Sequence, residues 1–248
     1  MVLLIDVGNT NIVFGFAEKK EIVKTFRLKS FIDKTSDEYY FLVNSIIGDI
    51  KVDDVIISSV VPIITSSLKK LFSNHYNINA KILGPGLKTG IQLKVDDPKT
   101  VGADLICDCA GAQTICNESI VIDLGTATKF IYVKNNVFYG CSIAPGVAIS
   151  MKALVNNAAL LPNIEMTSPG KVIGTNTIAC MQSGIFLGAA SMVDGMISRI
   201  KKEIKNENIQ VIATGGLSSV IVPLCNEKIL RVENLTLYGL LEIYYKNV

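Results

Sequence analysis

Runs of aliphatic and β-branched residues at Val2 to Val7, Ile12 to Ala17 and Glu21 to Leu28 open the chain. Their spacing predicts three consecutive strands, the first two joined through Gly8-Asn9. A helix follows, because Thr35 and Glu38 form a capping-box pattern and Tyr39, Leu42, Val43, Ile46, Ile47 and Ile50 recur at helical spacing. Val55 to Val60 is apolar on both faces, as inside a parallel sheet, and Pro62 opens a helix to about Asn74. Gly84 to Gly90 reads as a loop and Ile91 to Val95 as a short strand. Pro98 sits in the first turn of a helix that carries Val101 through Ala112.

The pattern then starts again. Ser119 to Leu124 is a strand, and Thr128 to Val133 pairs with Val137 to Gly140 across the hairpin turn Asn135-Asn136. Ala144-Pro145-Gly146 leads into a helix to about Asn156, and a mobile stretch is expected up to Gly174. The longest helix begins near Asn176, with Met181, Ile185, Met192, Met196 and Ile200 on its apolar side and Gly184 and Gly188 leaving room for another backbone. The methionines are read as core fillers. Strand Ile209 to Thr214, a helix from Ser218, strand Ile229 to Val232 and a helix capped by Asn234 complete the chain. Strands followed by alternating helix and strand, written twice, predict two similar α/β domains, 1–117 and 118–248, with a ligand cleft between them.

A short motif marks each half. Asp6-Val7-Gly8-Asn9-Thr10 and Asp123-Leu124-Gly125-Thr126-Ala127-Thr128 both follow a predicted strand. A strand that ends in Asp and turns through Gly and Thr sets a carboxylate beside backbone N–H groups, where magnesium and phosphate oxygens could be held. Val55 to Val60 and Val211 to Gly216 close the two halves alike, which suggests duplication.

Bulk properties narrow the classes. A chain of 248 residues, 49% hydrophobic, can fill two medium domains, and 24 basic against 22 acidic residues give no basic patch for nucleic acid. Met1 to Ile5 offer no basic leader, so no secretory signal is expected. Polar residues interrupt Ile178 to Ile197, so no membrane span is expected either. The six cysteines lack a C-x-x-C pair and stand apart from the single histidine, His75. They read as reduced thiols packed in a cytosolic protein rather than zinc ligands, and His75 reads as a surface residue.

Each candidate has a dull alternative. Asp6 could hold magnesium or merely cap its turn; Gly8, Asn9, Thr10 and Asn11 could give donors to the terminal phosphates or form only a hairpin. Asp123, Gly125, Thr126 and Thr128 form the facing loop, with Lys129 either a charge near the phosphates or a solvated strand residue. Gly215-Gly216 could let a flat nucleotide lie against the backbone or simply end a strand. Phosphoryl transfer to an alcohol wants a proton acceptor. Asp104, in Val101-Gly102-Ala103-Asp104, is the candidate, against a plain helix-surface Asp.

Six ordered motifs carry a resemblance. DVGNTN at Asp6 to Asn11, DPKTVGAD at Asp97 to Asp104, DLGTAT at Asp123 to Thr128, IAPG at Ile143 to Gly146, TNTIACMQSG at Thr175 to Gly184 and ATGG at Ala213 to Gly216 resemble the type III pantothenate kinases, nearly end to end. That family lies within the acetate and sugar kinase/Hsp70/actin superfamily. The resemblance implies two duplicated ribonuclease H-like (actin-like ATPase) domains and ATP-dependent phosphorylation of pantothenate to 4'-phosphopantothenate in the cytoplasm, the first step towards coenzyme A. It implies Asp104 as the proton acceptor, ATP contacts at Asp6, Val7, Gly8, Asn9, Thr10, Asn11, Ile12, Val13, Gly125, Thr126, Gly215 and Gly216, and pantothenate contacts at Gly102, Ala103, Asp104, Leu105 and Thr177. It further implies a monovalent cation (potassium or ammonium) at Asp123, beside the magnesium that the first motif offers at Asp6, and a homodimer whose pantothenate pocket the neighbouring subunit completes. The chain departs from the family pattern at Leu105, where Arg is usual, and at Lys129 and Ile131, where Thr and Asp are frequent. Leu105 keeps two other readings open: a nucleotide-binding relative without kinase activity, and a kinase for another small alcohol.

Overall fold

The opening apolar runs fold as antiparallel strands β1 (Val2–Val7), β2 (Asn11–Glu18) and β3 (Glu21–Lys29). Helix α1 (Ser36–Ile47) begins on Thr35 with both halves of the capping box formed, the Thr35 hydroxyl accepting from Glu38 N–H and the Glu38 carboxylate from Thr35 N–H. Strand β4 (Asp54–Ser59), helix α2 (Pro62–Tyr76) and the short β5 (Lys81–Ile82) and β6 (Gln92–Leu93) follow. The computed structural model describes all residues 1–248. They divide into one unit of Met1–Thr114 with Leu235–Val248 and another of Ile115–Asn234.

The helix expected from Pro98 is broken. Pro98–Thr100 form only a 3-10 turn, capped by the Asp97 carboxylate on Lys99 N–H, and Val101 and Gly102 are extended before α3 (Ala103–Gln113). Proline at a first-turn position is equally at home in either helix type, so the sequence signal was ambiguous.

In the first unit the sheet order is β3-β2-β1-β4-β5, with β1 antiparallel to β2 and parallel to β4. Leu3, Ile5, Val7, Phe14 and Phe16 turn one face of this sheet into a core shared with Tyr39, Val43, Leu68 and Phe72 of α1 and α2. Alternation then sends Asp6 to the opposite face.

The second unit repeats the plan. Strands β7 (Glu118–Leu124), β8 (Ala127–Lys134) and β9 (Val137–Pro145) are antiparallel neighbours, the last two joined through Asn135 and Asn136, both with positive φ, as a type I′ hairpin requires. After α4 (Val147–Asn157) and α5 (Thr177–Ile204), strand β10 (Gln210–Thr214) lies parallel to β7, and the short helix α6 (Ser218–Ile221) leads to β11 (Leu230–Arg231). The strand order within this unit, β9-β8-β7-β10-β11, reproduces that of the first, as a duplication requires.

Helix α5 passes a length-and-composition test for crossing a membrane. Its Phe186, Ala190, Val193 and Ile197 are instead buried with Ile120, Ile122 and Phe130 as a core helix. The deepest stripe is therefore rotated from the predicted one, and Met192, Met196 and Ile200 flank it, partly buried. Cβ positions on Gly184 and Gly188 meet nothing, so no other backbone of this chain approaches them.

The last helix, α7 (Leu235–Tyr245), packs with the first unit, whereas the pattern grouped it with residues 118–248. It is apolar nearly all round, burying Leu235, Leu237, Leu240, Leu241, Ile243 and Tyr244, and needs a partner on several sides. Helix α3 supplies one. Glycines set the spacing: a Cβ on Gly239 would lie 2.8 Å from the Gly111 nitrogen. Asn234 turns the chain into α7 with φ of 59° rather than the extended backbone of an ordinary N-cap.

Candidate active site

Asp6 is the next-to-last residue of β1, and its neighbours fix its carboxylate. Ser58 lies directly beside it on parallel β4 and donates its hydroxyl to Asp6 Oδ1 at 3.0 Å; across the antiparallel ladder stands Val13. Val7 pairs with Ile12, which leaves Gly8, Asn9, Thr10 and Asn11 as the loop. Gly8 N–H closes this turn on the Asn11 carbonyl at 3.0 Å, so Gly8 serves by close approach rather than as a donor. A Cβ there would sit 3.2 Å from that carbonyl. Asn9 and Thr10 are exposed at the tip. Ser30, which sequence reasoning missed, ties the loop down through its hydroxyl on the Gly8 carbonyl, at 2.6 Å, and its N–H on the Thr10 carbonyl, at 2.9 Å. Neither Ser58 nor Ser30 carries a motif; only strand register reveals them.

The extended pair Val101-Gly102 delivers Asp104 into the first turn of α3, where Oδ1 accepts from Leu105 N–H at 2.9 Å. That carboxylate folds back over Gly102, whose Cβ position it overlaps, so the glycine is a steric requirement of the Asp104 conformation. Ala103 begins the helix, and Leu105, buried at 7% exposure, contributes to the core and brings no charge. One turn on, Cys107 is fully buried, and that burial pushes its thiol well above the usual range. Asp6 pushes it further, as do Asp108 and Asp104, against a hydrogen bond from Ser58. The Gly102 Cβ position under Asp104 also lies 3.6 Å from Val60 Cγ1, two residues past Ser58, so Asp104 and the Asp6–Ser58 pair lie at the same end of β4 within the first unit.

In the second unit Asp123 holds the same place on β7, with Thr214 beside it on parallel β10. Its cross-strand partner is Lys129, whose Nζ lies 2.6 Å from Asp123 Oδ2. Lys129 is thus not a solvated strand residue: its side chain is 15% exposed and that of Asp123 14%. Leu124 pairs with Thr128, leaving the shorter loop Gly125-Thr126-Ala127, closed by Gly125 N–H on the Ala127 carbonyl. Glycines wall the carboxylate. A Cβ on Gly125 would stand 3.3 Å from Asp123 Oδ1, and one on Gly215, at φ +90°, 2.6 Å from it. Gly216 is exposed in the following turn. Gly146, of the IAPG segment, packs so closely under Gly125 and Thr126 that a Cβ would reach the Gly125 carbonyl at 2.6 Å.

Two metals are expected, magnesium from the first motif and a monovalent cation from the resemblance, and the residues treat them differently. Asp6, oriented by Ser58 at the rim of a four-residue loop, suits a magnesium ion that takes most of its ligands from phosphate and water. No cluster of three His, Cys, Asp or Glu side chains exists to hold a metal alone. A monovalent cation fits Asp123 poorly, because an ammonium already sits on that carboxylate. A second unit charge about 4 Å from that ammonium would meet a repulsion of roughly 4 kcal/mol at an effective dielectric constant of about 20, which cancels the attraction that the shared carboxylate offers at a similar distance.

Other candidates fall outside these clusters. Thr177 is exposed at the first residue of α5, after the Asn176 cap. Of the cysteines, none of which forms a disulfide, only Cys107 and Cys109 are buried, whereas Cys141 and Cys180 are exposed. His75 stacks on Tyr40 and reaches Asp37 at 3.2 Å, a helix-surface arrangement.

The family model described as type III pantothenate kinase matches residues 2–199. A type III pantothenate kinase of Acholeplasma laidlawii is 44% identical over 248 residues, covering all of both chains. Among solved structures, component A of the (R)-2-hydroxyglutaryl-CoA dehydratase of Acidaminococcus fermentans superposes with TM-score 0.56 at 17% identity, covering 98% of this chain and 96% of that one. The inorganic polyphosphate/ATP-glucomannokinase of Arthrobacter gives 0.51 at 13%, covering 100% of each. These likenesses show the actin-like ATPase and sugar kinase fold, and the full-length identity settles the membership: the chain belongs to the type III pantothenate kinase family.

Proposed function

We propose that this chain transfers the γ-phosphoryl group of ATP to the primary hydroxyl of pantothenate, giving 4'-phosphopantothenate and ADP, with Asp104 as the proton acceptor. What supports the reading most is the full-length identity to a type III pantothenate kinase, together with Asp6 oriented by Ser58 at the end of β1 and Asp104 held by Leu105 N–H at the start of α3. In the reaction a bond forms between the pantothenate oxygen and γ-phosphorus, the bond from phosphorus to the ADP oxygen breaks, and the hydroxyl proton passes to Asp104. Leu105 N–H holds one carboxylate oxygen still meanwhile. Magnesium, when bound at Asp6, neutralises phosphate charge. Gly8 lets the first loop approach the nucleotide closely, and Asn9, Thr10 and Asn11 are the contacts that this loop offers it.

Asp104→Asn tests this directly. The substitution keeps the shape and removes the base, so pantothenate-dependent ADP formation should fall by about 10²–10⁴-fold while ATP affinity changes little. Retained turnover would remove Asp104 from the mechanism.

We further propose a cytoplasmic homodimer. An apolar groove of about 560 Å³ between α4 and α5, lined by Val147, Leu154, Met181, Gly184 and Ile185, supports it, as do exposed Ile149 and Ile178 beside it. Sedimentation should give twice the 26.8 kDa chain mass. A monomer at micromolar concentration would refute it.

A further inference from the structure

We infer that the Lys129 ammonium stands in for the monovalent cation on Asp123, so that this chain carries its own potassium substitute and needs neither potassium nor ammonium ions. The inference rests on the kinase reading for its site, but on Lys129 for its substance.

Three features converge. First, the register places Asp123 and Lys129 directly opposite each other in the β7–β8 ladder, and the short Gly125-Thr126-Ala127 turn fixes that register. Second, the pair is close and sheltered: Nζ lies 2.6 Å from Oδ2, with both side chains about six-sevenths buried. Third, Gly125 and Gly215 back onto the other carboxylate oxygen, so the walls of the site are backbone and its charge is met from within the strand pair. An ammonium group carries the charge of a potassium ion and three N–H donors in a compact head. Because it is covalently tethered, its presence does not depend on ion concentration, unlike that of a dissociable ligand.

A salt comparison tests the idea. Wild-type protein is assayed with ATP, magnesium and pantothenate in choline chloride and in potassium chloride. Affinity for a non-hydrolysable ATP analogue is measured by calorimetry in the same two salts. The wild type should change by less than about twofold on either measure, since its cation is built in. Lys129→Thr should lose about tenfold or more in choline and regain most of it in potassium or ammonium chloride. Lys134, opposite Glu118 at the far end of the same ladder, is the control: Lys134→Thr should respond to salt as the wild type does.

Wild-type activation by potassium of about tenfold or more overturns the inference. So does a folded Lys129→Thr protein that no monovalent cation rescues. If pantothenate gives no turnover in any salt, the kinase reading fails, and the nucleotide affinities still decide the role of Lys129.

Discussion

The ends of β1 and β7 follow one plan and differ in the length of the loop and in the residue that faces the carboxylate. Each strand finishes Asp-aliphatic-Gly. Each Asp has a hydroxyl residue beside it on the parallel neighbour, Ser58 or Thr214. Each following carbonyl takes a returning N–H, Val7 from Val60 at 3.0 Å and Leu124 from Leu217 at 3.2 Å. Across the antiparallel ladder, however, Asp6 faces Val13 and Asp123 faces Lys129. The first loop is one residue longer, so the residue brought opposite the carboxylate comes from a different place in the second strand. Hairpin length thus decides whether the carboxylate meets an apolar neighbour or a built-in cation.

The comparison breaks or holds on the two matching substitutions. On the proposed reading Asp6→Asn should cost activity heavily, about 10³-fold in kcat/KM, because it would weaken the hold on a metal that bears transition-state charge. It should cost little stability. Asp123→Asn should do the reverse: about tenfold in activity, since the ammonium stays in the chain, but about 2 kcal/mol in stability from removing the carboxylate partner of a sheltered ammonium. Paired kinetics and urea unfolding check this. Equal losses in both variants would mean that the two turns do the same work.

Much of the fold could be read in the residues because the signals were local. The α1 capping box, the Asn135-Asn136 hairpin and the apolar run of β4 each need only a few neighbours in sequence. What escaped depended on distant partners. Nothing in Leu235 to Tyr245 says that α7 will lie on α3, and the stripe of α5 turned because Phe186 and Val193 found a deeper core than the methionines. The site divided the same way. The two Asp turns stood out by repetition, whereas Asp104 read as a helix-surface residue until the family resemblance singled it out. Lys129 could not be assigned from sequence, since its partner is set by register across a three-residue loop.

The smallest expected effect concerns the other end of the β7–β8 ladder, where Glu118 faces Lys134. This pair also gathers the Tyr132 hydroxyl, at 2.7 Å, and the Asn206 amide, and joins strand ends rather than serving the candidate site. The Tyr132 hydrogen bond, with help from Lys134 and Asn206 and against partial burial, holds the Glu118 carboxyl below its ordinary value of 4.5. A carboxylate whose folded pKa lies below its unfolded pKa contributes stability that is complete above the unfolded value and is lost as pH falls through the folded one. Glu118→Gln should therefore lower stability at pH 7 by roughly 0.5–1 kcal/mol, the range of a partly solvated ion pair, with the gap closing as pH falls below the ordinary carboxylate range. Urea unfolding at neutral and at acid pH measures it. Potassium should leave the variant's activity as it leaves the wild type's, because this pair lies at the opposite end of the ladder from Asp123; a salt response as large as that of Lys129→Thr would show that any lysine of this ladder, and not the one on Asp123, sets the cation requirement.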